Sequence, residues 1–228
     1  MELKVKIFLL QNISSKEMQV CIAGMIDKTL CEDAKWKEFH EKNCYKFYSF
    51  NSLSPIEKDA IYKKECVYQF SIRTVNAELA GYLLEKLPQR ATPDMKGLTA
   101  SINFVTKRPI QEIAALTPIL VKCEERCYWN GVLTFEEFQR KIRDNLIKKY
   151  NQLQGQKISE DFLLWNLFEK TNQKPIPMAY KGKTLLGDKV RFMVADNPMA
   201  QELAYLSIAA GLGEANGRGN GYVNYRYC

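Results

Sequence analysis

The chain contains a single histidine, His40, and a lysine, Lys46, follows it by six residues. Histidine is the side chain whose ordinary pKa lies near neutrality, so it can give or take a proton at physiological pH. A lysine can stabilise negative charge that builds up on a phosphate. Together they could promote RNA cleavage in which a 2′-hydroxyl attacks the neighbouring phosphate without a metal ion. The structural alternatives are a surface histidine at a helix end and a solvated lysine.

A glycine-rich segment, residues 211–221, reads Gly-Leu-Gly-Glu-Ala-Asn-Gly-Arg-Gly-Asn-Gly. An apolar periodic segment precedes it and a strand-like segment follows it, whereas a dinucleotide fingerprint and a P-loop both require a helix after the loop. Glycine permits close approach of backbone to a ligand, and consecutive turns can point N–H groups at an anion. The alternative is a flexible loop or tight connection. We predict RNA-phosphate contacts from Gly211, Gly213, Gly217, Arg218, Gly219 and Gly221.

Further basic residues alternate along a predicted strand pair in the second half of the chain. A track along an RNA backbone and an ordinary solvated sheet face are both consistent with this pattern. The formal net charge of +7, from 33 basic and 26 acidic residues, permits a nucleic-acid partner. The candidate RNA-binding residues of this track are Lys181, Lys183, Lys189 and Arg191.

Composition places the chain among globular proteins of one or two domains, with 228 residues, 46% hydrophobic and 26% charged. Seven cysteines without framework spacing favour a reducing cytoplasm. Cys123-x-x-x-Cys127 lacks the second ligand pair that a structural zinc site needs, so we expect no metal and no cofactor. No apolar run is long enough for a signal peptide or a membrane span, and we expect a cytoplasmic protein without a membrane partner.

Hydrophobic periodicity predicts the elements that must position these residues. In the first half it indicates strands over 3–10, 45–50, 66–74 and 99–107, and helices over 15–31, 32–40 and 76–87. In the second half it indicates strands over 119–122, 175–183 and 189–194, helices from 134, 159 and 198, and a final strand after the glycine-rich segment. Both halves follow the order β-α-β-β-α-β. We therefore predict an α+β fold with two tandem ferredoxin-like (RRM-like) domains, residues 1–112 and 113–228.

In these features the chain resembles the CRISPR-associated endoribonucleases that process repeat RNA, which are RAMP-type proteins. A short helix ends in His40, six residues separate it from Lys46, and aromatic-rich residues 47–50 follow. The duplicated strand and helix order and the C-terminal glycine-rich segment complete the resemblance, which spans essentially the whole chain.

The resemblance implies metal-independent cleavage of CRISPR repeat RNA, giving a 2′,3′-cyclic phosphate and a 5′-hydroxyl. It implies that His40 is the general acid or base and that Lys46 stabilises charge on the scissile phosphate. The family often adds a tyrosine from the first helix, but here Met25 or Asp27 lies near that position. We take Tyr45 as the third catalytic candidate, with Tyr48 and Ser49 as alternatives.

The resemblance also implies CRISPR repeat RNA as the partner, and it leaves other CRISPR effector-complex subunits and a homodimer open. Two alternative functions remain at this stage. One is a catalytically inactive subunit that binds repeat RNA within an effector complex. The other is an unrelated protein of the same fold whose glycine-rich segment only connects a helix to a strand.

Overall fold

The computed structural model describes residues 1–123, 128–180 and 182–228. The chain divides into two compact units, one of residues 1–105 with 217–219 and one of residues 106–216 with 220–228. None of the helices in the described ranges is long and apolar enough to cross a membrane. The boundary predicted between residues 112 and 113 falls inside the strand Ile110–Ala115, and the division into domains 1–112 and 113–228 stays a prediction.

The first unit has four main strands in one antiparallel sheet, with two further short strands paired apart from it. Its strands are β1 (Glu2–Leu9), β2 (Ile13–Ser14), β3 (Tyr48–Phe50), β4 (Ile61–Tyr62), β5 (Val67–Thr74) and β6 (Met95–Asn103). Its helices are α1 (Ser15–Leu30), α2 (Ala34–Glu41) and α3 (Ala77–Lys86). The sheet order is β3-β5-β1-β6, which is the order of a ferredoxin-like βαββαβ unit.

Local sequence explains how α1 and α2 form. Ser14 caps α1, because its side-chain oxygen accepts a hydrogen bond from the Lys16 amide. Asp33 caps α2 in the same way, accepting from the Lys35 and Trp36 amides. The apolar face of α1 packs in the core with the inward-facing residues of β1, and these buried side chains include Leu3, Val5, Ile7, Leu9, Met18, Ile22, Met25 and Ile26.

The second unit repeats this topology around a second antiparallel sheet of order β12-β7-β11-β8. Its strands are β7 (Ile110–Ala115), β8 (Trp165–Lys170), β9 (Ile176–Tyr180), β10 (Lys183–Gly187), β11 (Val190–Val194) and β12 (Val223–Tyr227). Its helices are α4 (Phe135–Gln154) and α5 (Pro198–Ala210). The predicted fold class of two tandem ferredoxin-like domains is confirmed.

Several predicted elements of this unit were wrong in detail. The helix predicted from residue 159 is the strand β8, in which Leu167 is exposed and Phe168 is buried. The first strand is β7 rather than 119–122, where Ile119 and Leu120 form only isolated bridges. The predicted pair of 175–183 with 189–194 is also wrong. Instead β9 pairs with β10 in a hairpin, and β11 lies between β7 and β8 in the main sheet.

Candidate active site

His40 lies in the last turn of α2, and the buried side chain of Trp36 anchors this helix to the core. Trp36 is buried, with its ring 5.8 Å from the ring of Phe39 and 5.6 Å from that of Tyr82. The imidazole is therefore held on a helix that packs against the core of the first unit.

Lys46 turns back onto the same end of α2. Its Nζ donates hydrogen bonds to the carbonyl oxygens of Phe39 and Lys42, the second at 2.6 Å, and lies 4.8 Å from the centre of the Phe39 ring. Burial lowers the pKa of Lys46, and the positive charges of Arg218 and Lys42 act in the same direction, while Cys44 opposes them. The histidine and the lysine that the sequence singled out are thus associated with one helix end.

The chain between Lys46 and β3 adopts an unusual backbone conformation. Phe47 has a φ of 52°, in the left-handed region that side chains rarely adopt. The Phe47 carbonyl accepts a hydrogen bond from the Thr74 hydroxyl at 2.9 Å, which holds this conformation against β5. Tyr45, the predicted third catalytic residue, is partly buried, and its ring centre lies 6.3 Å from that of Phe47.

Asp27 is a functional candidate that sequence reasoning noted only as a departure from a family pattern. It lies in α1, and its Oδ1 is 3.4 Å from Nδ1 of His40. Its Oδ2 accepts a hydrogen bond from Nη1 of Arg218, a residue of the glycine-rich segment that belongs to the first unit. Spacing along the chain gives no signal for this cluster, because Arg218 is 191 residues away from Asp27.

Tyr48 lies beside this cluster and is fully buried. Burial raises its pKa, Asp27 adds to the rise, and Arg218 opposes it. The phenol therefore stays neutral at physiological pH. A Cβ placed on Gly217 would lie 3.1 Å from the Tyr48 hydroxyl oxygen, so this part of the glycine-rich segment packs directly on β3.

The remaining part of the glycine-rich segment lies in the second unit and is mostly buried. The Leu212 amide donates to the carbonyl oxygen of Gly221 at 2.9 Å, and the Gly221 amide donates to that of Pro118 at 2.8 Å. Lys149 Nζ donates to the carbonyl oxygens of Gly211 and Gly213 at 2.9 and 2.8 Å. These amides satisfy backbone acceptors, and the assignment of the glycines to RNA binding stays a prediction.

The basic residues predicted to follow RNA occupy different environments in the second unit. Lys183 is exposed at the start of β10, and Arg191 is exposed on β11, where its Nε donates to Glu169 at 2.6 Å. Lys189 is half-buried, and burial lowers its pKa. Lys181 lies outside the described residues. RNA binding by these four basic residues stays a prediction.

Cys127, one of the two cysteines considered for a zinc site, lies outside the described residues. Within the described parts of the chain, no group of three or more histidine, cysteine, aspartate or glutamate side chains is arranged to hold a metal ion.

Comparison with known proteins gives matches over the whole chain. Three solved structures illustrate them, each covering 99% of this chain: a CRISPR associated protein Cas6 (TM-score 0.75, 20% identity, 99% of that chain), a RAMP protein binding different RNA substrates (0.74, 18%, 99%) and a Cas6 product complex (0.63, 13%, 100%). At these identities the likeness shows the fold.

No curated protein matches the sequence. Residues 103–225, more than half of the chain, match the family described as CRISPR associated protein Cas6, C-terminal. This stretch includes the strands β7 to β11, the glycine-rich segment and the first three residues of β12. The chain therefore belongs to the Cas6 family of CRISPR-associated proteins.

Proposed function

We propose that this protein is an endoribonuclease that binds CRISPR repeat RNA and cleaves it into mature guide RNA. Family membership supports RNA as the substrate, and one structural relative is a Cas6 in complex with its product. The observation that carries the proposal is the joint position of His40 and the Lys46 ammonium group at the end of α2. This arrangement offers a proton-transfer group and a cation at one place.

In the proposed reaction the 2′-hydroxyl of the nucleotide before the cut attacks the adjacent phosphorus. The new O–P bond forms as the bond to the 5′ oxygen breaks, giving a 2′,3′-cyclic phosphate and a 5′-hydroxyl. His40 transfers a proton during this exchange. Lys46 stabilises the extra negative charge on the phosphorane. The proposed chemistry uses no metal ion.

The contacts of Lys46 support this role. Its ammonium is partly buried against carbonyl oxygens, which carry only partial negative charge. Burial disfavours the charged form, and a phosphate carrying a full negative charge would offset that cost better than neutral acceptors do. Exchange of the Lys42 carbonyl for a phosphate oxygen therefore gives the lysine a stronger partner.

Tyr45 is proposed as the third residue at the reaction centre, because it directly precedes Lys46 and is partly exposed. The glycine-rich segment and the basic residues Lys181, Lys183, Lys189 and Arg191 are proposed as RNA contacts. If Arg191 contacts phosphate, the RNA must compete with Glu169 for its guanidinium group.

Cleavage of end-labelled repeat RNA in EDTA tests the proposal. We expect the wild-type protein to cut, and His40→Ala to cut about 10²–10⁴-fold more slowly, the usual contribution of a general acid or base. Glu41→Ala, at the exposed neighbouring position of the same helix, is the matched control and should retain the wild-type rate. Cleavage that requires Mg²⁺, or an equal rate for His40→Ala, would contradict the mechanism.

The same experiment separates the RNA-binding alternative. If the wild-type protein binds repeat RNA tightly but leaves it intact, the protein is a non-catalytic repeat-RNA-binding subunit. Binding through phosphate contacts weakens steeply as salt is raised, so a titration from low to moderate salt identifies it. Absence of salt-sensitive binding would contradict both functions.

A further inference from the structure

His40 and Asp27 face each other across two helices of the first unit. Their side chains are mostly buried, 22% and 23% exposed, and Nδ1 of His40 lies 3.4 Å from Oδ1 of Asp27. Within the described residues, Asp27 Oδ1 is shielded from solvent and has no donor in hydrogen-bonding geometry. A buried carboxylate oxygen without a donor is costly, and a small rotation of the imidazole would provide one. This geometry favours a proton on Nδ1.

Arg218 holds the other oxygen of this carboxylate. Its Nη1 donates to Asp27 Oδ2, and the neighbouring Gly219 carbonyl accepts a hydrogen bond from the Gln19 side chain of α1 at 3.4 Å. A Cβ on Gly219 would lie 2.8 Å from the Phe50 ring, so the backbone beside Arg218 is packed closely on β3. The backbone beside Arg218 is thus held by contacts with α1 and β3, and this positions the guanidinium group against Asp27.

We propose that Asp27 is a positioning residue for His40, and that Arg218 in turn fixes Asp27. The carboxylate accepts the Nδ1 proton of the imidazole and leaves Nε2 directed to the RNA. This inference rests on the proposed function, since it assigns a role within that reaction. It also gives the glycine-rich segment a part in catalysis through Arg218 that does not require the segment to touch RNA.

The proton balance of the step follows from this tautomer. The neutral imidazole carries its proton on Nδ1, so the free Nε2 takes the proton of the attacking 2′-hydroxyl as the O–P bond forms. The imidazolium produced lies beside the Asp27 carboxylate, which stabilises its charge. The 5′ oxygen leaves as its bond to phosphorus breaks and takes a proton from water, and the hydroxide so formed accepts the Nε2 proton of the imidazolium, which restores the neutral imidazole. Lys42, Lys46 and Arg218 are further cationic groups close to this end of the site.

Nuclear magnetic resonance of the ¹⁵N-histidine-labelled protein tests the tautomer directly. Because His40 is the only histidine, its two nitrogens give an unambiguous spectrum. At a pH where the imidazole is neutral, we expect the Nδ1–H form in the wild type and the Nε2–H form, which a free imidazole prefers, in Asp27→Asn. A wild-type protein with the Nε2–H form would overturn the proposal.

Single-turnover kinetics provide the second arm. Asp27→Asn is nearly isosteric, and we expect it to cleave at least about 10²-fold more slowly while its Kd for the RNA stays within about twofold. Asp27→Glu, which restores a carboxylate, should recover part of the rate. Asp59→Asn, which removes an exposed carboxylate paired with Lys63, is the charge-matched control.

These outcomes separate the two proposals. Wild-type cleavage with an equal rate for Asp27→Asn would overturn the role of Asp27 and leave the endoribonuclease intact. If the wild-type protein does not cleave RNA, the proposed function fails, and the tautomer of His40 still reports whether Asp27 orients it.

Discussion

The two parts of the glycine-rich segment are held in opposite ways. Residues 211–216, with 220 and 221, belong to the second unit, where the buried ammonium of Lys149 donates to three neutral acceptors, the carbonyls of Gly211 and Gly213 and Oδ1 of Asn216. Gly217–Gly219 belongs to the first unit, where Arg218 donates to a carboxylate beside the only histidine. The first part accepts hydrogen bonds from a cation, Lys149, that belongs to another element of the chain. The second part itself contains a cation, Arg218, which donates to Asp27 in the candidate site.

This comparison teaches that glycine content alone does not identify a phosphate-binding loop. Gly221 has a φ of 66°, and a Cβ there would lie 1.9 Å from the Leu212 carbonyl oxygen. Glycine is required at this position because backbone occupies the space of a side chain. The segment also carries Arg218, which lies between two of the glycines and donates a hydrogen bond to Asp27.

Removal of the buried Lys149 ammonium group should have the largest effect on stability. In Lys149→Met, the acceptors of Gly211, Gly213 and Asn216 lose their donor inside the protein, and each buried unsatisfied acceptor costs about 1–3 kcal/mol. We expect the free energy of unfolding to fall by about 4 kcal/mol in denaturant titrations. A loss below about 1 kcal/mol would show that these acceptors do not depend on Lys149.

A pair of alanine substitutions separates the two parts of the segment. Gly221→Ala combines left-handed backbone with overlap on a carbonyl group, and we expect it to cost about 3 kcal/mol of stability. The Cβ of Gly217→Ala would meet the Tyr48 side chain, with the hydroxyl oxygen at 3.1 Å and Cζ at 3.2 Å, and the φ of residue 217 is not in the left-handed region. This substitution should change stability by less than about 1 kcal/mol, because reduced freedom of the unfolded chain offsets the tight contact.

Equal losses for Gly221→Ala and Gly217→Ala in thermal or denaturant unfolding would contradict the distinction between the two parts.

A pH dependence of stability should be smaller than the losses expected for Lys149→Met and Gly221→Ala. Burial lowers the pKa of Lys149 to about 7, and the charge of Glu214 opposes the shift. Between that pH and the ordinary lysine value, the unfolded chain binds more protons than the folded one, so raising the pH favours folding. We expect the free energy of unfolding of the wild type to rise by about 1 kcal/mol relative to Lys149→Met between pH 7 and pH 8.

No change in this difference would mean that the three acceptors keep the Lys149 ammonium charged throughout this range.

The ferredoxin-like topology was predictable because its signals are local. Ser14, Asn76 and Thr134 each cap the helix that follows, and Asn197 with Pro198 begins the last helix. The alternation along β1 identifies a strand with one buried face. These patterns depend on neighbours a few residues apart, which the sequence displays directly.

The errors in the second half have a common physical cause. Leu163, Leu164, Leu167 and Phe168 follow helical spacing after a capping signal, yet β8 pairs with β11 as an edge strand and leaves Leu163 and Leu167 exposed. Tertiary pairing overrides local propensity in such short apolar runs. β7 was missing from the prediction, which placed a domain boundary between residues 112 and 113, although Ile110 and Ile113 are buried in the sheet.

The candidate site was predictable only in part. His40 and Lys46 are close along the chain, and the structure places both at one helix end. The Asp27–Arg218 pair joins residues from opposite ends of the chain, and no periodicity relates them. A carboxylate on a predicted helix face is ordinarily a solvated residue, so its position against the imidazole emerges only from the fold.

The central claim is that an RNA 2′-hydroxyl attacks the adjacent phosphorus and cleaves the RNA, while His40 accepts the proton of that hydroxyl. A repeat RNA with one 2′-deoxy nucleotide, immediately 5′ of the cut, tests it most directly, since all phosphates and bases are retained. We expect the wild-type protein to bind this RNA as tightly as the unmodified RNA and to leave it intact in EDTA. Cleavage of the deoxy-substituted RNA at the unmodified rate would contradict the account.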